Sequence, residues 1–73
     1  MNAELINFEL RREKSARLLE IRKQLRLSQR AVAKTAGISQ ALYNELERSK
    51  RDLLPRHIEM LSRSLGDEIR KLM

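Results

Sequence analysis

The chain has no cysteine, only two glycines and one proline, and a single tyrosine and phenylalanine among its 73 residues. Without cysteine there are no disulfides and no thiolate metal sites, which suits a reducing cytoplasm. So little glycine and proline leaves the chain almost unpunctuated, and its many Leu, Arg, Glu, Lys and Ala residues favour helix. An all-α fold follows. No apolar run approaches the ~20 residues of a membrane span, and the N-terminus lacks a signal-peptide core. The one histidine, His57, has no carboxylate cluster beside it and reads as a surface residue rather than a metal ligand or catalyst. No Ser-His-Asp set and no glycine-rich phosphate loop is present, so neither an enzyme nor a cofactor is expected.

What is present is positive charge in one place. The formal net charge is +6. Residues 1–21 balance Arg11, Arg12, Lys14 and Arg17 against Glu4, Glu9, Glu13 and Glu20, and residues 52–73 balance in the same way. The excess lies in residues 22–51, where Arg22, Lys23, Arg26, Arg30, Lys34, Arg48, Lys50 and Arg51 face only Glu45 and Glu47. Scattered cations would be an ordinary solvated surface, whereas concentration on one stretch points to a polyanion. A basic amphipathic helix can also seek anionic membranes, but clustering on a compact motif argues against that.

At this length there is one domain, burying roughly 60% of the unfolded surface. Residues 1–14 form an N-terminal extension, a candidate dimerisation arm, and residues 15–73 the domain proper. In the extension Ile6, Phe8 and Leu10 alternate with Asn7 and Glu9, the period of a half-buried strand that would need a second copy to pair with. The same residues can begin a helical extension or fray. Ser15 is positioned to cap a helix from about Ala16 to Leu25, with Leu18, Ile21 and Leu25 as its apolar stripe.

The centre of the chain is Ser28 to Arg51. Ser28 caps a short helix starting at Gln29, with Val32, Ala33 and Ala36 on its inner face; Ala33 is small enough for a close helix crossing. Gly37 turns the chain at a position suited to positive φ. Ile38 fills the gap, Ser39 caps a second helix, and Tyr43 and Leu46 face inward. Gln40, Ala41, Asn44 and Glu45 are left on its outer face. This is a helix-turn-helix followed by a basic loop, and its second helix is shaped for a DNA major groove. Pro55 opens a fourth helix with Ile58, Leu61 and Leu65 on its apolar face and Gly66 at its end. Asp67 to Met73 can add a fifth.

Ser28-Gln29, Ala33, Gly37, Ile38-Ser39, Leu46-Glu47-Arg48 and Lys50-Arg51 resemble the Cro/CI-type (XRE-like) helix-turn-helix family of bacterial and phage repressors, over about Leu18 to Gly66. The resemblance implies a five-helix lambda-repressor-like domain in which Arg22 and Glu47 form an internal structural ion pair and Gln29 holds the DNA backbone. Two departures stand out. Ser49 replaces the family's usual glycine, so a different turn backbone is expected there. Tyr43 replaces a small β-branched residue, and its hydroxyl must find a partner or the surface.

Side-chain chemistry assigns roles on this frame. Gln40 and Asn44 can each pair with adenine N6 and N7, Glu45 can accept from cytosine N4, and Ala41 can meet a thymine methyl. Gln29, Arg30, Ser39, Arg48, Lys50 and Arg51 are candidate phosphate contacts, which position the protein without reading sequence. The resulting expectation is a cytoplasmic, homodimeric regulator of an inverted-repeat operator in double-stranded DNA, most simply an autoregulating repressor. The dimer surface is either Ile6, Phe8 and Leu10 or Ile69 and Leu72. An antitoxin or protein adaptor on the same fold, with a protein partner, is the rival reading.

Overall fold

A computed structural model describes the backbone of residues 3–72 and the side chains of residues 9–72. Within them the chain forms five helices and no strand. The first, α1, runs Ala3–Gln24 without interruption, so the N-terminal extension is helical and the strand expectation is corrected. Neither proline nor glycine breaks this stretch, and a strand here would have no edge to pair with. The side chains of Ile6 and Phe8 lie outside the described residues.

Ser15 is therefore mid-helix and not a cap. It is buried, and its hydroxyl donates to the Leu46 carbonyl at 2.7 Å. Arg11, Ser15, Leu18 and Arg22 recur at spacings of four, three and four, placing them on one face of α1. That face is mixed: Arg11 pairs with Asp52, Leu18 enters the core and Arg22 reaches Glu47. Leu25, expected on the apolar stripe, falls beyond the helix end and is 48% exposed.

The helix-turn-helix is α2, Gln29–Ala36, and α3, Gln40–Glu47. Ser28 and Ser39 cap them, accepting from Ala31 N and Leu42 N at 3.0 Å each. Helix α4, Pro55–Leu65, packs mainly across α2, and a 3-10 helix, Asp67–Leu72, folds back on it. Ser64 clamps the α2–α4 contact by donating to the Val32 carbonyl at 2.7 Å. Leu18, Val32, Ala36, Tyr43, Leu46, Leu61 and Ile69 are fully buried, with Ala33, Ile58 and Leu65 nearly so. Ile38, Leu42 and Leu72 pack against this core from its margin. Ile69 thus closes the core and is not available as a dimer contact.

Three helix ends share one solution. Helices α1, α2 and α3 each finish with a left-handed residue, Arg26 (φ 57°), Gly37 (φ 78°) and Ser49 (φ 61°). Beyond each, a backbone N–H reaches five residues back: Leu27 to Arg22, Ile38 to Ala33 and Lys50 to Glu45, at 3.2, 3.0 and 2.9 Å. These are Schellman-type ends. At Gly37 the demand is conformational, since a β-carbon there would meet nothing within 4 Å. Ser49 itself adopts the left-handed conformation that glycine takes most readily. A non-glycine residue there costs roughly 1–2 kcal/mol, offset in part by the extra unfolded-state freedom of glycine, roughly 0.5–1 kcal/mol. Ser49→Gly should stabilise the protein by about 0.5–1 kcal/mol in urea unfolding, and a loss of stability would contradict the strain at this turn.

His57 is the other correction. It is buried, and its Nδ1 accepts from Leu54 N at 3.1 Å, reaching back from the third position of α4 to the N–H of the N-cap residue. Burial, together with the nearby charges of Arg56 and Arg51, holds its pKa below the ordinary value. The unfolded chain therefore binds more protons than the folded one as the pH falls through the ordinary histidine range near 6.5. Stability should be full above that range, decline as the pH falls from 7 towards 5.5, and level off below the folded pKa. His57→Gln should flatten this slope in urea unfolding across that window; an unchanged slope would remove His57 as its source.

Candidate nucleic-acid interface

Helix α3 is held to the body by Tyr43 and Leu46, and its opposite face is open. Gln40 and Ala41 are exposed, while Asn44 and Glu45 are half-buried. Residues 40, 41, 44 and 45 lie at the spacings that share one helical face. At the N-terminal end of α3 the Ser39 hydroxyl is occupied by its cap bond yet exposed. Arg30, Arg48, Lys50 and Arg51 are all exposed. Arg51 forms an ion pair with Glu45 across the loop that leaves α3, so in the free protein Glu45 is engaged by a cation. Both partners remain substantially in water, where such pairs are weak and can exchange for a phosphate or a base.

Behind this face lies the ion pair between α1 and α3. Arg22 grips Glu47 with two hydrogen bonds, Nε to Oε2 at 2.5 Å and Nη2 to Oε1 at 3.1 Å. Its third nitrogen, Nη1, donates to the Leu27 carbonyl at 2.8 Å, tying down the loop into α2. The Glu47 side chain is 4% exposed and that of Arg22 14%. Burial alone would raise the Glu47 carboxyl, but donors from Arg22 and its polar neighbours outweigh it and hold the group below its ordinary range. The same hydrogen bond raises Arg22. Both shifts favour the charged pair.

Two further residues complete the cluster. Gln29, expected at a phosphate, turns its Nε2 to Glu47 Oε1 at 2.9 Å. Its Oε1 accepts from Asn44 Nδ2 at 3.3 Å. Gln29 is half-buried, so one candidate backbone contact and one candidate base contact are joined to each other and to the structural ion pair. Tyr43 lies against the same pair. Its hydroxyl is buried without a hydrogen bond of regular geometry, and burial beside the Glu47 carboxylate raises its pKa. The sequence reading paired Glu47 with Arg22 alone. The signal it passed over was that a carboxylate has two oxygens, and that Gln29, at a helix start, stands within reach of the second.

A capped helix-turn-helix with an open polar face on its second helix, inside a five-helix all-α domain, is the architecture of a lambda-repressor-like DNA-binding domain. A helix-turn-helix family model of the XRE type matches residues 18–71, and the chain belongs to this family of DNA-binding transcription regulators. Comparison with curated proteins and with solved structures found no match. Among the described residues no helix is long and apolar enough to cross a membrane, and no cluster of His, Cys, Asp and Glu could hold a metal ion.

Removing one partner of a buried pair strands the other's charge, a loss of about 3–5 kcal/mol. Arg22→Met should lower the unfolding free energy by about 3 kcal/mol, read from the urea midpoint. A change below about 1 kcal/mol would show that the pair is not what anchors α3.

Proposed function

We propose that the protein is a homodimeric transcriptional repressor that binds an inverted-repeat operator in the cytoplasm, with its own promoter the first candidate. The observation that carries this reading is the coincidence of the open α3 face with the charge excess: all of the net +6 lies in residues 22–51, which span the helix-turn-helix. On this reading α3 enters the major groove, Gln40 and Asn44 read bases from its first two turns, and Ala41 and Glu45 flank them. Arg30, Ser39, Arg48, Lys50 and Arg51 meet phosphates around the groove, and Gln29 supports them from the start of α2.

For the dimer, the N-terminal half of α1 is the better supported surface. Ile69 is consumed by the core, whereas Leu10 is 48% exposed and borders a groove shared with Leu54 and Pro55. A two-fold dimer places its recognition helices about 34 Å apart, one turn of DNA.

The test is fluorescence anisotropy on DNA from upstream of the gene, against scrambled DNA, across salt. Binding should favour the upstream DNA and weaken steeply with salt, with a logarithmic slope of about −0.9 per phosphate neutralised. Gln40→Ala, folded by circular dichroism, should lose about 1–3 kcal/mol of that preference while keeping the salt slope. Equal, weak binding to both DNAs, untouched by the substitution, would remove Gln40 as a base reader and favour a protein-binding role.

A further inference from the structure

We infer that the buried ion pair sets which bases α3 can read, by fixing the orientation of the Asn44 amide through Gln29. The argument rests on hydrogen-bond polarity. An ionised carboxylate only accepts, so Glu47 admits only the Nε2 end of Gln29, at 2.9 Å. Arg22 keeps Glu47 ionised by donating to both of its oxygens. With Nε2 held at Glu47, the amide of Gln29 presents Oε1 towards Asn44, and an oxygen admits only a donor. Asn44 therefore turns Nδ2 to it, at 3.3 Å.

The far end of the chain is then determined. Among the described residues Tyr43 Oη is the one buried side-chain polar atom without a partner. Among the described residues no hydrogen bond reaches Asn44 Oδ1, and since it is not a buried atom it is open to solvent. Polarity thus runs one way, from Arg22 through Glu47 and Gln29 to Asn44, and ends in an outward acceptor. In a major groove an acceptor selects bases that present an amine, adenine through N6 and cytosine through N4. The remaining Nδ2 hydrogen can also meet N7, which places adenine first. Guanine and thymine present O6 and O4 at the matching positions and would face oxygen with oxygen. Gln29 is on this account a positioning residue: it reads no base itself, but removes the flipped amide of Asn44 as an alternative.

This inference rests on the reading of α3 as the base-contacting helix, and the experiment separates the two. Randomised-operator selection followed by sequencing is run on the full chain for the wild type, Asn44→Ala, Gln29→Ala and Glu47→Gln, with circular dichroism for folding. The wild type should enrich one motif. The position that loses its preference in Asn44→Ala should favour adenine or cytosine over guanine or thymine about tenfold in the wild type. In Gln29→Ala that position should relax to about twofold or less, while the positions set by other residues keep their preferences. A purely structural role for Gln29 would instead weaken every position together. Glu47→Gln, whose amide can accept or donate, should relax the same position; if it does not fold, Gln29→Ala decides alone. A wild type that enriches no motif overturns the reading of α3 and this inference with it. A motif whose Asn44-dependent position favours guanine or thymine, or is unchanged in Gln29→Ala, overturns the inference and leaves the reading of α3 standing.

Discussion

The bidentate contact between Arg22 and Glu47 is the constraint on which the rest of the structure depends. It joins the end of α1 to the end of α3, and the third nitrogen of the same guanidinium holds the loop that leads into α2. One side chain therefore sets three segments at once. A lysine could not replace it, because a single ammonium offers no planar fork for a carboxylate and a carbonyl together. Burying two charges is costly, and the pair is tolerable because donors surround the carboxylate; its larger contribution is geometric. It fixes how far α3 stands from the body, and hence how its outer face is presented.

Around that contact the core is divided between two tasks. Val32, Ala33 and Ala36 on α2 meet Ile58, Leu61 and Leu65 on α4 and give the motif a rigid back. Tyr43 and Leu46 bind α3 to this body with apolar area, while Ser15 and Glu47 bind it by hydrogen bonds. The division has a physical reason. Apolar contact resists separation but permits sliding, whereas hydrogen bonds with fixed direction resist rotation. Together they hold α3 in both position and rotation against the body. The three left-handed helix ends serve the same purpose, since each turns the chain sharply without a long flexible loop.

The candidate site is more interconnected than a catalogue of exposed residues suggests. Glu45 is engaged by Arg51, and Asn44 by Gln29, so two of the four residues on the outer face are already hydrogen-bonded before any DNA arrives. Gln40 and Ala41 stand clear. The face thus combines open groups with groups that already have partners within the protein.

Much of this was legible in the linear chain, because it depends on neighbours within one helical turn. The all-α class, the helices from Ser28 onward, the caps at Ser28 and Ser39, the turn at Gly37, the opening of α4 at Pro55 and the localisation of charge are all signals of period, capping or composition. What the chain alone could not decide involves partners far apart in sequence. Ser15 meets the Leu46 carbonyl 31 residues away, and Gln29 meets Asn44 and Glu47 at 15 and 18. Arg11 and Ser15 share the buried face of α1 with Leu18, yet a search for apolar periodicity ignores polar residues at the same spacing and so placed a cap where the helix continues. His57 looked like a surface residue because its spacing alone does not show that its ring is buried and accepts the Leu54 N–H. Ser49 takes a left-handed conformation that propensity disfavours, because the Lys50 to Glu45 bond and the packing of α3 outweigh the local cost. Short-range chemistry determined which helices form; only tertiary contact decided which polar atoms are spent inside the protein and which remain to meet a partner.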